Sequence, residues 1–257
     1  MAKRSSGDAR PAAPKRAAAA QSLNALLNRL PPAEYQRLSP QLHHTSLEFH
    51  EILHRKGEPI RDVFFPGGGI CSLVTPLADG SMVEMAMIGR EGMVGASAAL
   101  HSDVAQETAI VQIGTDSCQR MAIGDFRREM DRHGPLFDLV ARYAQVILGL
   151  IMQSVACNAV HPVEQRLSRW LLMAHDRAGS DEFPLTQELV AMMLGTSRPT
   201  VTIVAGTLRK AGLIEYRHGR MTVLNRKALE AASCECYRVV ASAFASMDSN
   251  RRAPQSR

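Results

Sequence analysis

A group of hydrogen-bond donors in the last third of the chain has the chemistry needed to read nucleic-acid base edges. Arginine can bind O6 and N7 of a guanine with two parallel hydrogen bonds, while hydroxyl and basic groups also bind phosphates. Arg198 is the residue that we expect to contact a base. The residues predicted to bind DNA are Thr196, Ser197, Arg198, Pro199, Thr200, Thr202, Arg209, Arg217, His218 and Arg220.

Two helices and a hairpin must position these donors. Thr186 can cap the first helix, and Gly195 can end it in the left-handed conformation. Ser197 can cap the second helix, with Pro199 in its first turn, where the missing N–H costs nothing. Apolar residues at Val201, at Val204 or Ala205, and at Leu208 would face inward. A strand pair with a tight turn at His218-Gly219 follows, so the pattern predicts a winged helix-turn-helix. The alternative is a small helical domain with a solvated basic face; the turn spacing, cap and wing together favour DNA binding.

Composition and charge are consistent with a regulator that touches DNA through one module. The chain has 257 residues and a net charge of +5. Residues 184–227 carry seven Lys or Arg and two Glu, and residues 1–20 carry five and one Asp, so residues 21–183 are net acidic. Five scattered cysteines do not form a disulfide framework, and no secretory or membrane-spanning segment is evident. We therefore expect a cytoplasmic protein with no membrane partner.

Residues 42–121 predict an all-β roll, because short apolar runs are separated by turns rather than by helices. The predicted strands are Leu47–Leu53, Val63–Phe65, Ile70–Thr75, Met82–Ile88, Thr108–Ile113 and Gln119–Ala122. A glycine-rich loop between strands could turn its backbone N–H groups toward an anion, and the alternative is a plain turn. The candidate effector residues are Gly89, Arg90, Glu91, Gly92, Gly95 and Thr108.

Helices are predicted before and after the roll along the chain. A short helix is predicted around Leu23–Leu30, another near Ala33–Leu38, and a third over Asp125–His133. The next, from about residue 135, has two apolar stripes and therefore needs two partners. One stripe is assigned to the roll and the other to the same helix of a second subunit, although burial inside a larger monomer is the alternative. The residues predicted to form the dimer interface are Leu136, Val140, Tyr143, Ile147, Leu150 and Ser154. A helix over Glu164–Arg177 follows, with Trp170 in the core, then a loop over 178–183, and a last helix over Arg226–Met247.

The predicted fold class is α+β: an N-terminal β-roll (double-stranded jelly roll), a long dimerisation helix and a C-terminal winged helix-turn-helix. The predicted boundaries are a disordered basic tail at 1–21, a cyclic-nucleotide-binding-like roll at 22–134, the dimerisation helix at 135–160, the DNA-binding domain at 161–247 and a disordered tail at 248–257.

This order of elements resembles the cyclic-AMP receptor/fumarate-nitrate regulator (Crp/Fnr) family over about residues 22–225. The strongest match is Leu185-Thr186-Gln187-Glu188-Leu189 with Gly195-Thr196-Ser197-Arg198-Pro199-Thr200-Val201. The resemblance implies a homodimeric transcription regulator that binds double-stranded DNA and contacts RNA polymerase, with Arg198 reading a base. The family often has Glu where Pro199 stands and Arg where Ile203 stands, so the base preference differs.

The roll departs from the cyclic-nucleotide binders of that family. Gly95 is in place, but Ala96 replaces the ribose-binding Glu and Glu107 stands where the phosphate-binding Arg belongs. A carboxylate repels a phosphate, so cyclic AMP is not expected as the effector. The N-terminal cysteine cluster of the oxygen-sensing branch is absent, because the first cysteine is Cys71. Haem is a weaker option offered by His43, His44, His50 and His54, which are more often surface residues.

Cys234-Glu235-Cys236 is the remaining unusual motif. On a continuous helix, residues two apart point about 200° apart, a poor geometry for one metal ion. A closed zinc site also needs four ligands, and no second pair is nearby in sequence. We therefore predict a buried structural role and no metal or other cofactor, with a redox or metal role as the alternative. No catalytic constellation stands out, so an enzyme is the weakest interpretation. The two that remain are a regulator whose roll senses a signal and an effector-independent regulator whose roll is a scaffold.

Overall fold

The computed structural model describes residues 22–100 and 104–249. The predicted disordered tail at 1–21, and all but the first two residues of the one at 248–257, lie outside those residues. The chain enters through a 3-10 turn at Leu27–Arg29, helix α1 at Pro32–Leu38 and a second 3-10 turn at Ser39–Gln41. The predicted helix over Leu23–Leu30 is thus reduced to one 3-10 turn, and Leu23 is 65% exposed.

The N-terminal part is a roll, as predicted, but it is built from seven antiparallel strands in the described residues where six were predicted. They are β1 His43–Leu47, β2 Ile52–His54, β3 Asp62–Pro66, β4 Ile70–Pro76, β5 Met82–Ile88, β6 Thr108–Ile113 and β7 Thr115–Ala122, with a 3-10 helix at Ala96–Leu100 after β5. One sheet has the order β1-β7-β3 and the other β2-β6-β4-β5. The single strand predicted over Leu47–Leu53 is wrong, because His50 has a φ of 66° and a turn separates β1 from β2.

The C-terminal half is helical apart from the wing. Its elements are α2 Ile123–Asp131, α3 Pro135–Val160, α4 Val163–Ala178, β8 Glu182–Pro184, α5 Gln187–Leu194, α6 Arg198–Lys210, β9 Ile214–Arg217, β10 Arg220–Val223, α7 Arg226–Ala232 and α8 Cys236–Ser249. The predicted α+β class and the order of roll, long helix and winged helix-turn-helix are confirmed.

Two C-terminal predictions are wrong. The segment predicted as a loop over 178–183 contains the start of β8, which pairs with β10 and makes the wing three-stranded. The helix predicted over Arg226–Met247 is broken, because Ser233 is an extended C-cap and a new helix begins at Cys236. That second helix also reaches Ser249, beyond the predicted domain end at 247.

The residues predicted to form the dimer interface are buried inside the protomer. Leu136, Val140, Tyr143, Ile147, Leu150 and Ser154 are all 8% exposed or less. Tyr143 is fully buried and its hydroxyl donates to the carbonyl of Met93, 2.9 Å away in the roll. Periodicity identified the face correctly but not its partner, so these six residues are corrected from an intersubunit to an intramolecular contact.

A different stripe of α3 is exposed. Leu148, Met152 and Val155 are 56%, 60% and 66% exposed and follow one another at helical spacings of four and three. By length and composition α3 is the one described helix that could cross a membrane. One face of it packs against the roll, with Tyr143 and Leu150 buried, and this packing accounts for part of its apolar character.

A buried polar seam joins the roll to α4. The Trp170 indole Nε1 donates to Oε2 of Glu84 at 2.6 Å, and the Ser72 hydroxyl also donates to this carboxylate. Beside it, Arg177 Nε lies 2.8 Å from Oε1 of Glu91. Trp170 is 4% exposed, so its predicted core role is confirmed, with the addition of this hydrogen bond. Since buried polar groups without partners are costly, the seam fixes how α4 sits on the roll.

Burial raises the pKa of Glu84, while its hydrogen bonds to Ser72 and Trp170 and the charges of Arg169 and Arg177 oppose that rise. A folded-state pKa above the unfolded value contributes stability below the unfolded pKa, and this is lost as pH rises through the folded pKa. Glu84→Gln keeps an acceptor for Trp170 and removes the charge. We therefore expect the variant to be more stable than wild type at pH 7 and closer to it in stability at pH 4.

Urea unfolding at both pH values measures this difference. Glu58→Gln, at an exposed position of the roll, is the matched control and should change stability little at either pH. A Glu84→Gln variant that is less stable than wild type at pH 7 would contradict the account, because the charge would then be stabilised by its arginines.

Candidate nucleic-acid interface

The turn between α5 and α6 is built by local hydrogen bonds. The hydroxyl of Thr186 accepts from the Leu189 N–H at 3.1 Å and caps α5. Gly195 ends α5 in the left-handed conformation with a φ of 57°. The Gly195 and Thr196 N–H groups then donate back to the last turn of α5, to the carbonyls of Met192 and Ala191. The bend between α5 and α6 is 107°, so the second helix projects away from the first.

Helix α6 presents its N-terminal end to solvent. The Ser197 hydroxyl accepts from the Thr200 N–H at 3.3 Å, and Pro199 lies in the first turn, as predicted. The buried side of the helix carries Val201, Ala205 and Leu208. Of the two inward candidates, Ala205 is therefore the core residue and Val204 is only partly buried.

The donors on the outer face of α6 are available to a ligand. The guanidinium of Arg198 is 62% exposed and lies 3.2 Å from Oε1 of Glu188, which is itself 72% exposed. Exposed ion pairs contribute about 0–1 kcal/mol, so Arg198 can leave this partner easily. The Thr202 hydroxyl lies 2.7 Å from Gln187 Oε1 on α5.

One large apolar residue that is exposed on this helix was not in the predicted site. Ile203 is 71% exposed, on the outer face that also carries Thr202. Single exposed apolar side chains are common on protein surfaces, so Ile203 is a candidate contact because of its position beside the donors of α6 and not because of its exposure. The signal was present in the sequence, because the inward positions Val201, Ala205 and Leu208 leave Ile203 for the outer face.

The wing carries the remaining basic residues. His218 and Gly219 have φ values of 49° and 74°, which is the two-residue turn predicted for the hairpin. Arg217 lies 3.3 Å from Glu215, and Arg220 forms an ion pair with Glu182 of β8. All are solvent-exposed pairs that a phosphate can displace.

The predicted residues therefore fall into three places. Thr196, Ser197, Arg198, Pro199, Thr200 and Thr202 lie at the N-terminal end of α6, and Arg217, His218 and Arg220 lie at the wing. Arg209 lies in the last turn of α6, roughly 16 Å along the helix from Arg198 at 1.5 Å per residue. Helix start and wing tip form a two-part basic surface, and Arg209 stands at the far end of the same helix.

The glycine-rich loop of the roll has a packing role. A Cβ on Gly89 would lie 2.8 Å from Cγ of Arg177, and one on Gly92 would lie 2.3 Å from the Tyr143 hydroxyl. The Gly89 N–H already donates to Glu91. Close approach of α3 and α4, rather than an anion, explains these two glycines, so the geometry does not support the anion-cradle hypothesis at these positions.

A cavity of about 180 Å³ lies between the roll and α3. It is mainly apolar; its polar end is formed by Ser97, whose hydroxyl lies 3.4 Å from Oε1 of Glu107, and His54 Nε2 lies 3.3 Å from the same oxygen. Of the predicted effector residues only Gly95 lines this cavity. Thr108 instead accepts from the Lys56 N–H at 3.1 Å, and Arg90 and Glu91 line a separate pocket beside α8.

Comparisons with known proteins agree with this geometry. Residues 165–232 match the family model of the Crp-like helix-turn-helix domain. No curated protein matches the chain. Among solved structures, a CRP-family transcriptional regulator from Thermus thermophilus is 22% identical with a TM-score of 0.62, over 74% of this chain and 96% of that one.

Two further solved structures have the same fold. FixK2 from Bradyrhizobium japonicum is 16% identical with a TM-score of 0.65, over 75% of this chain and 98% of that one. The c-di-GMP-responsive global regulator CLP from Xanthomonas campestris is 14% identical with a TM-score of 0.61, over 74% and 98%.

The division of the basic surface predicts different effects for two arginines. Arg198→Ala should change the DNA motif selected from a random pool, because a lost bidentate guanine contact costs about 1–3 kcal/mol at one position. Arg220→Ala should leave the motif intact and reduce the slope of log affinity against log salt by roughly one. Selection and a salt series for each variant measure both effects. An unchanged motif for Arg198→Ala would mean that another residue reads that base.

Proposed function

We propose that this chain, a Crp/Fnr-type transcription regulator by its helix-turn-helix domain and its fold, works in the cytoplasm as a homodimer that binds specific double-stranded DNA sites. The observation that supports the proposal most strongly is the exposure of the N-terminal end of α6. Its cap, its exposed Arg198 and its projection from the domain fit a helix that enters a major groove. A regulator placed in this way next to a promoter would also contact RNA polymerase.

Two side chains would read bases directly. Arg198 would leave Glu188 and bind a guanine edge with two hydrogen bonds. Ile203 would contact the methyl group of a thymine, the one apolar feature that base pairs show in the major groove. The flanking Ser197 and Thr200 hydroxyls, with Arg217 and Arg220 at the wing, would bind phosphates and fix the register.

The second copy of the chain would sit on the exposed stripe of α3. Leu148, Met152 and Val155 give this stripe its apolar area, and the nearby Ala141 and Ala159 are small enough to let two helices approach closely. Exposed apolar stripes at spacings of three and four are the pattern of paired helices. A two-fold pairing here would carry two copies of α6 and match a two-fold symmetric DNA site.

The roll's cavity would accept an uncharged effector rather than a cyclic nucleotide. Glu107 is 9% exposed at the polar end of a mainly apolar space, and a phosphate placed there would be repelled. The alternative is an effector-independent regulator whose roll is a scaffold. A thermal-shift screen that includes cyclic AMP and uncharged apolar compounds separates these, because a ligand of the native state raises the melting temperature.

Charged substitutions on the exposed stripe of α3 test the proposed dimer interface. Leu148→Asp with Met152→Asp places four carboxylates in the paired interface, and their desolvation would be strongly unfavourable. We expect sedimentation to show a monomer with an unchanged circular dichroism spectrum, and the affinity for a two-fold symmetric site to fall at least tenfold.

Leu224→Asp is the matched control, since Leu224 is 57% exposed and lies just after the wing. It should remain dimeric. A double variant that still sediments as a dimer would show that α3 pairs through another surface, or that the dimer forms elsewhere.

A further inference from the structure

Four metal-binding side chains converge where α3 meets the start of α8. Cys157, His161, Cys234 and Cys236 each offer one ligand atom, and all four atoms lie within 4.8 Å of one another. Two come from the C-terminal end of α3, at the helical spacing of i and i+4. The other two come from the break between α7 and α8, which removes the geometric objection that a continuous helix would have raised.

We propose that these residues form a Cys₃His site for one zinc ion, which fastens α8 to the end of α3. The distances fit a single tetrahedral ion. With Zn–S of about 2.3 Å and Zn–N of about 2.0–2.1 Å, the ligand atoms of such an ion stand about 3.8 Å (S to S) and about 3.6 Å (S to N) apart. The Cys157 and Cys234 sulfurs are 3.5 Å apart, and the Cys236 sulfur is 3.6 Å from His161 Nδ1.

The same distances argue against an iron–sulfur cluster. Such a cluster binds its cysteines through several iron atoms and therefore holds the thiolates farther apart than one ion does. Three thiolates and one imidazole in a compact group instead suit a closed structural zinc site.

The surroundings supply the outer contacts that metal sites use. His161 turns its other ring nitrogen, Nε2, toward Oε1 of Glu235 at 3.3 Å, which is the carboxylate–histidine arrangement that orients a zinc ligand. Gln153 Nε2 lies 3.0 Å from the Cys236 sulfur and can donate to it. Cys157, Cys234 and Cys236 are all 5% exposed or less and form a buried cluster separate from the main core.

A buried positive charge near the four ligands is also consistent with a zinc site. Zinc with three thiolates and a neutral imidazole has a net charge of −1. Arg169 is 5% exposed, and its Nε and Nη1 atoms have no hydrogen-bond partner in the described part of the chain. Arg169 is close enough to Cys157 for its charge to act on that side chain. A buried cation beside a net-negative site would stabilise the site.

The proposed zinc site lies at the junction between α3 and α4. His161 is the C-cap of α3, and Pro162, the next residue, is the N-cap of α4. An ion here would hold the hinge between the long helix and the DNA-binding domain. Cys234 and Cys236 lie beyond the residues matched by the helix-turn-helix family model, which end at 232. Cys157 and His161 lie before the first matched residue, 165, so the whole site lies outside the matched domain and does not depend on the proposed DNA sequence preference.

The test uses the full chain purified under reducing conditions without added chelator. Elemental analysis should find about one zinc per chain, as a closed site with four protein ligands requires. Replacement by Co²⁺ should give the visible absorption of a tetrahedral thiolate-bound ion. Cys157→Ser and Cys234→Ser should lose the zinc. Cys71→Ser, which changes a buried cysteine of the roll, should keep it.

The cysteine variants could lose zinc because they fail to fold, so a second kind of variant is needed. Glu235 is 73% exposed, so Glu235→Gln should fold normally while weakening zinc affinity by about 10- to 100-fold, as loss of an outer-shell partner does. Competition with a coloured chelator measures this. The proposal is overturned by a metal-free protein with five titratable thiols, by a Cys157–Cys234 disulfide, by the absorption of an iron–sulfur cluster, or by zinc that persists in both cysteine variants.

Discussion

Helix α3 is apolar around most of its circumference, and the need to cover each of its faces organises the molecule. One face, with Tyr143 and Leu150, is closed by the roll. A second is covered by α8, which returns along α3 after the wing. The third, with Leu148 and Met152, is exposed in the protomer, and we assign it to a second copy. Apolar faces that are left in contact with water are unfavourable. Helix α3 is therefore expected to have a partner on each of its three faces: the roll, α8 and a second copy of the chain.

The DNA-binding domain meets the roll through a few buried polar contacts in addition to apolar packing, since the buried apolar residues of both parts form one continuous core. The Glu84 carboxylate receives hydrogen bonds from Trp170 and Ser72, and Glu91 pairs with Arg177. Such contacts are strong only when their geometry is kept, because an unpaired buried donor or charge is expensive. A change in the roll that moved these carboxylates would therefore reorient α4, and with it α6. The proposed zinc site would restrain the same joint at the C-terminal end of α3.

Sequence reasoning succeeded where the determinants are local. The caps at Thr186 and Ser197, the glycine at 195 and the His218-Gly219 turn are each set by neighbouring residues, so the winged helix-turn-helix could be predicted. It failed where distant segments decide. Periodicity could not tell that the Ile147 face of α3 meets the roll. Periodicity also could not show that β8 pairs with β10 of the wing. It did not show that Cys157 and His161 lie next to Cys234 and Cys236, because the break between α7 and α8 was not evident from the residue spacing. A Cys and a His at i and i+4 near the end of a helix was the one available signal for that cluster.

The central claim is that a two-fold symmetric pair of α6 helices reads DNA. Selection of bound sequences from a random duplex pool, with the full wild-type chain, tests this most directly. We predict a two-fold symmetric motif whose half-sites lie one helical turn apart, about 10–10.5 base pairs between centres, or a multiple of that spacing. An asymmetric motif with a single half-site, or no enrichment over the starting pool, would contradict the account.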